Sequence, residues 1–120
     1  KNLRPLTNVH GQCHGFGVGL SDGAMVVTYD HRYTPGAPSG RAMISLDEGG
    51  TFEDEVYYIS FSTVPEGQAG FSESVVLEDD TILTIAATTD MAREKFLKAS
   101  TSGKSQKGNV DVWAIRWKLE

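Results

Sequence analysis

Apolar residues recur at every second position in several short runs, and the runs are separated by Gly, Pro, Asp and Ser. Phe16, Val18 and Leu20 alternate with Gly17, Gly19 and Ser21, the spacing of a strand with one buried face. Ser21-Asp22-Gly23 then reads as a hairpin turn, and residues 24–29 (AMVVTY) are β-branched and aromatic enough to form a buried strand. Residues 33–40 hold two prolines and two glycines and read as loop. A third strand is expected over 41–45 and a fourth over 55–60 (EVYYIS). Ahead of all four, residues 3–9 are mixed and interrupted by Pro5, which suits an outer edge strand, and 10–15 (HGQCHG) read as a turn.

The second half repeats this plan. Gly70-Phe71 echoes Gly15-Phe16, and Leu77-Glu78-Asp79-Asp80 before TILTIA echoes Leu20-Ser21-Asp22-Gly23 before AMVVTY, the two leucines lying 57 residues apart. Residues 90–108 form a polar insertion carrying Arg93, Lys95, Lys98, Lys104 and Lys107, whose front part suits one or two helical turns. A last strand is expected over 109–119, with Trp113, Ile115 and Trp117 on one face. The size of the indoles favours packing against a neighbouring sheet over a sugar-stacking platform. The count is eight strands: one outer strand, a set of four, then three.

Between the third and fourth strands lies Ile44-Ser45-Leu46-Asp47-Glu48-Gly49-Gly50-Thr51-Phe52. Ser45 and Asp47 are placed to bond the turn's own amides, Thr51 adds a third such bond, and the paired glycines suit positive φ. The spacing Ser45-x-Asp47-x-Gly49-x-Thr51-Phe52 resembles the Asp box of the sialidase-like (BNR-repeat) β-propellers. Together with HGQCHGFGVGLSDGAMVVTYDHRY and GFSESVVLEDDTILT it makes nearly the whole chain similar to the C-terminal portion of bacterial exo-α-sialidase-type proteins.

The resemblance implies an all-β fold of about two four-stranded antiparallel propeller blades. Residues 1–14 would be an orphan outer strand and linker, 15–61 a full blade with its Asp box at 45–52, and 70–120 three strands of a second blade with the insertion at 90–108. Each copy would lack an outer strand at one end and carry a spare at the other. Three copies would then close a six-bladed ring as a homotrimer. A C-terminal piece of a longer propeller is the competing account.

The box and the Asp22-Gly23 turn fall on one rim, so candidate chemistry belongs to the opposite one. Sialidases grip a carboxylate with three arginines, and Arg41, which opens the strand running into the box, stands where the last of them would be. Arg32 is a second candidate, with Asp30, His31, Tyr33 and His14 beside it. The family's nucleophile is a tyrosine activated by a carboxylate, and this chain has Phe71 at that position, with Glu73 nearby. Phenylalanine has no oxygen with which to attack, and the acid/base aspartate and first arginine belong to blades absent from these residues. The resemblance therefore implies a carbohydrate-binding or degenerate glycosidase-related unit without independent sialidase activity. The alternatives are a hydrolase active only in an assembled or full-length propeller, and a structural or interaction module.

Charge and composition narrow the rest. Over 120 residues the net charge is −5, and no basic block is interleaved with aromatics, so a nucleic-acid partner is not expected. No apolar run reaches membrane-spanning length, so a membrane partner is not expected either, and neither a signal peptide nor an initiator Met stands at Lys1. Localisation is not legible. Cys13 is the single cysteine, and His10 and His14 share a face only in a helix, against which Gly11 and Gly15 argue. No metal and no cofactor is expected, and a hydrogen-bonding role fits both histidines better. Tyr57 and Tyr58 read as packing or surface residues.

Overall fold

The computed structural model describes residues 6, 12–31, 38–61, 69–89 and 110–120. They form seven strands: β1 (Gln12–Gly19), β2 (Met25–His31), β3 (Ser39–Ser45), β4 (Tyr57–Phe61), β5 (Ala69–Val76), β6 (Ile82–Thr89) and β7 (Val110–Trp117). Two antiparallel sheets result, ordered β1-β2-β3-β4 and β5-β6-β7. The expected outer strand over 3–9, apart from Leu6, and the insertion at 90–108 lie outside the described residues.

Three boundaries differ from the sequence expectation. β1 begins at Gln12, so the segment read as a turn is strand as far as it is described. The chain stays paired there because a bulge between Cys13 and Phe16 absorbs the irregular Cys-His-Gly stretch. The first sheet also reaches further toward that rim, with Ser39 opposite His31 and Gly40 opposite Asp30. β4 starts at Tyr57, two residues later than expected.

The alternation of side chains fixes two faces on each sheet. Val26, Thr28 and Asp30 of β2 and Gly40, Ala42 and Ile44 of β3 are buried on the inner face of the first sheet. Ile82, Thr84 and Ala86 of β6 occupy the inner face of the second. Val26, Ala42, Ile44 and Ile82 form the buried apolar centre, with Val18, Leu20, Tyr57, Ile59, Trp117 and Leu119 packed around it. β5 lies against β1, β2 and β3, and β6 against β4.

A chain of hydroxyls crosses this interface. The Trp117 indole N–H donates to Thr84 Oγ1 at 2.9 Å, Thr84 meets Ser74 Oγ at 2.9 Å, and Ser74 lies 3.4 Å from Thr28 Oγ1, which donates to the Phe16 carbonyl. Each hydroxyl in this chain of contacts thereby keeps a partner, which the interior requires of polar groups.

The two hairpins 57 residues apart are built alike. Leu20 N–H bonds the Ala24 carbonyl and Gly23 N–H the Leu20 carbonyl; Leu77, Thr81 and Asp80 make the same pair of bonds. The left-handed position is Gly23 in one (φ 91°) and Asp80 in the other (φ 59°), the type I turn followed by a left-handed residue that three-residue hairpin loops favour.

Trp113, Ile115 and Trp117 do share the inner face, opposite Ala86, Thr84 and Ile82. The expected burial holds only in part: Trp117 is half-buried while Trp113 is 46% exposed. β7 borders the second sheet on the side away from β5, and only its Trp117 end reaches the apolar centre. The outer face of the same sheet leaves Val75, Ile85 and Val112 exposed.

Candidate functional site

The acidic turn after β3 is ordered by its own side chains. Ser45 Oγ donates to Asp47 Oδ1 at 2.8 Å and accepts the Gly49 N–H at 2.8 Å. The Thr51 amide and hydroxyl donate to the two Asp47 oxygens at 2.7 and 2.8 Å. These donors, the Thr51 amide first and then the Ser45 and Thr51 hydroxyls, hold the Asp47 carboxyl down to a pKa of about 2. The left-handed residues are Glu48 and Gly49, not the glycine pair. Gly50 is needed for closeness instead, since a Cβ there would sit 2.8 Å from Asp47 Oδ2. Phe52 is half-buried beside the turn. Glu48 lies beside Gly23, so the box and the first hairpin turn share a rim.

Toward the opposite rim, register brings three side chains into a row: Tyr29 pairs with Arg41, and Arg41 with Tyr58. All three stand on the outer face of the first sheet. Arg41 Nε donates to Ser39 Oγ at 2.9 Å, and its guanidinium lies 5.0 Å over the Tyr58 ring. That contact fixes the plane of a half-buried cation. Burial pushes the Tyr29 phenol up, against the pull of the neighbouring guanidinium. Burial, then the same guanidinium, pushes His31 down, which keeps its imidazole neutral at pH 7. The row is a fixed cation flanked by two phenol rings, suited to an anionic or hydroxylated ligand.

Asp30 and His14 lie elsewhere. Asp30 projects from the inner face and is fully buried, with His14 Nδ1 at 3.0 and 3.2 Å from its two oxygens. The strand alternation thus divides the group that the sequence assembled along one rim. Arg41 and His31 are on one face of the sheet, and Asp30 with His14 on the other. Arg32 and Tyr33 lie outside the described residues, as does the side chain of Phe71, whose backbone falls in the β5 bulge between Gly70 and Glu73. Glu73 is exposed on the outer face of the second sheet. Tyr29 and Ser39 were missed, although counting by twos from Arg41 across the hairpin would have found them.

Among the described residues no three His, Cys, Asp or Glu side chains gather as metal ligands, and no helix is long and apolar enough to cross a membrane. His10 and the Cys13 side chain lie outside those residues.

The chain is an all-β protein of two packed antiparallel sheets. Comparison with protein-family models, with curated proteins and with solved structures finds no match to it.

Proposed function

We propose that this chain is a sialidase-like β-propeller unit that binds acidic carbohydrate and lacks independent sialidase chemistry. The observation that carries the reading is Arg41, held by Ser39 and stacked on Tyr58 at the rim opposite the acidic turn. The self-bonded turn and the two matching hairpins support the repeat behind it. An arginine already oriented loses little freedom on gripping a carboxylate, so a planar fork is better suited there than an ammonium. The test is binding of sialosides and uronic acids by saturation-transfer NMR or on a glycan array, with Arg41→Lys as control. Binding weakened about 10-fold or more by Arg41→Lys is the expected result, in line with the roughly 1.5–3 kcal/mol of a charged hydrogen bond. A panel with no acidic sugar bound, or bound equally by the variant, refutes it.

Self-association belongs to the same reading. Val75, Ile85 and Val112 expose 55%, 41% and 73% of their surface on one sheet face, and packing against another copy would cover them. Three copies closing a ring predict a solution mass near three times the 13.0 kDa of one chain. A monomer by light scattering excludes the ring.

A further inference from the structure

The two sheets carry one register twice. Shifted by 57 residues, every pair between β1 and β2 reappears between β5 and β6. Phe16 opposite Thr28 becomes Glu73 opposite Ile85, Val18 opposite Val26 becomes Val75 opposite Leu83, and the bulge between Cys13 and Phe16 becomes the bulge between Gly70 and Glu73. The third strands agree as well. Ser45, Met43 and Arg41 stand opposite Met25, Val27 and Tyr29 as Trp117, Ile115 and Trp113 stand opposite Ile82, Thr84 and Ala86. Equal register makes equal faces, because side chains alternate across a strand. The face of Val26, Thr28 and Asp30 in the first sheet is therefore equivalent to the face of Leu83, Ile85 and Ala87 in the second. The face of Met25, Val27 and Tyr29 is equivalent to that of Ile82, Thr84 and Ala86.

Within one chain, faces of unlike kind meet. The Val26 face of the first sheet packs on the Ile82 face of the second, with Val26 and Ile82 in one apolar centre and Thr28 Oγ1 3.4 Å from Ser74 Oγ. Among the described residues this leaves one face of each kind turned outward: the Met25 face of the first sheet and the Leu83 face of the second. The Leu83 face is apolar, with Val75, Ile85, Val112 and Ala114 exposed and Leu83 half-buried, and its charged residues are Glu73 and Arg116. The Met25 face presents Met25, Val27 and Met43, each half-buried, beside Gly17 and Gly19 of β1, which add no side chain to it.

We infer that these two outward faces dock on each other between copies, the Leu83 face of one chain on the Met25 face of the next, in the register of the contact inside the chain. This rests on the self-association proposed above and names the surface of the second copy that meets the exposed face. Because the two faces differ, the contact is head-to-tail and passes from copy to copy. Its pairs follow from exchanging equivalent positions. Val26 with Ile82 becomes Leu83 with Met25, apolar on both sides again. Thr28 with Ser74 becomes Ile85 with Gly17, so the larger side chain meets a residue that has none, as close packing requires. The docked face covers apolar surface that a single copy exposes. The tie from Ser21 to Asp80 has no counterpart, since Gly23 stands at the position of Asp80 and offers no carboxylate, and the contact between copies rests on apolar groups. Arg41 stands at the position of Trp113, whose 46% exposure puts it outside the tight part of the internal contact. The Arg41 row therefore lies at the open edge of the seam between copies.

The test uses the whole chain with its single cysteine removed, Cys13→Ala. Two preparations each gain one thiol, Ile85→Cys in the first and Gly17→Cys in the second, and one is isotopically labelled so that unlike chains are told apart by mass. Ile85 is exposed, and a Cβ at Gly17 meets nothing nearer than Val27 Cγ2 at 3.9 Å, so both variants should keep the fold. The equivalent internal hydroxyls are 3.4 Å apart, within reach of a disulfide once sulfur replaces them. On mild oxidation of the mixture the expected result is a disulfide between unlike chains, formed at least about 10-fold faster than in either preparation alone. Adding Val75→Lys, a change at an exposed residue, to the Ile85→Cys chain should abolish that bridge, and Val75→Lys alone should have the solution mass of one chain, 13.0 kDa. Faster bridging in Ile85→Cys alone marks two like faces paired about a two-fold axis; it overturns head-to-tail docking and leaves self-association standing. A mixture that stays monomeric and forms no bridge overturns both. Neither outcome bears on the sialoside test with Arg41→Lys.

Discussion

Replacing Ser45 by Ala probes the acidic turn at the group that connects its two halves. Ser45 is fully buried, and its hydroxyl both donates to Asp47 and accepts the Gly49 amide, each at 2.8 Å. The 3.4 Å approach of the Asp47 amide is too long to count for much. Two hydrogen bonds at about 0.5–1.5 kcal/mol each give a loss of roughly 1–3 kcal/mol. The half-buried Gly49 amide can recover some of this from water. A second readout follows from the same geometry. The Ser45 hydroxyl is one of the groups that lower the Asp47 pKa, second to the Thr51 amide, so the pKa should rise from about 2 toward its ordinary value without reaching it. Urea unfolding gives the first quantity, and carboxyl-carbon NMR titration of the folded protein gives the second. A stability change below about 0.5 kcal/mol together with an unmoved Asp47 pKa would mean that the turn is set by its backbone and not by this hydroxyl.

Two further outcomes follow from the sheets. Thr84→Val keeps volume but strands the Trp117 indole N–H and one Ser74 contact, so it should cost about 1–3 kcal/mol and shift Trp117 emission; an unchanged urea midpoint would show that the hydroxyl chain contributes nothing net. Folding stability should fall on the acid side: Asp47, Asp79 and Asp80 all have folded pKa values below the ordinary 3.8, so their charged forms favour the folded state fully above that value. For Asp47 the contribution disappears as pH drops from about 4 through about 2. A urea midpoint followed from pH 5 to 2.5 should decline less in Asp47→Asn than in the parent, and parallel curves would refute the assignment.

Strands with strict alternation were legible, and those without it were not. β2 and β6 stand out because Val26, Thr28, Ile82 and Thr84 alternate with residues of the other face and follow a recognisable turn. The start of β1 was hidden because Gln-Cys-His-Gly carries no period, and a bulge restores pairing only in three dimensions. The acidic turn was readable in part, since each contact spans four residues or fewer: Ser45 and Asp47 do accept amides of the turn, from Gly49 and Thr51, whereas the Thr51 hydroxyl bonds the Asp47 carboxylate instead of an amide and the left-handed positions fall at Glu48 and Gly49. The site was legible as a set of residues and illegible as an arrangement. Asp30, His31 and Arg41 are near in sequence and near one rim, yet adjacent residues of a strand point to opposite faces.

Where the two halves cease to match is where they hold each other. Gly23 suits the left-handed position of the first hairpin without a side chain, and faithful repetition would put glycine at Asp80 as well. Aspartate tolerates that conformation better than most residues, but tolerance alone explains no preference for it. The carboxylate explains it: both Asp80 oxygens accept from Ser21, one from the amide and one from the hydroxyl, tying the second hairpin to the first. Lys118 adds its ammonium to the carbonyl of the neighbouring Asp79, closing the chain's last strand onto the same turn. This tie keeps β1 and β5 side by side from the turn rim, so the opposite rim, where each of these two strands carries its bulge, is built on a fixed line rather than on two independent sheets.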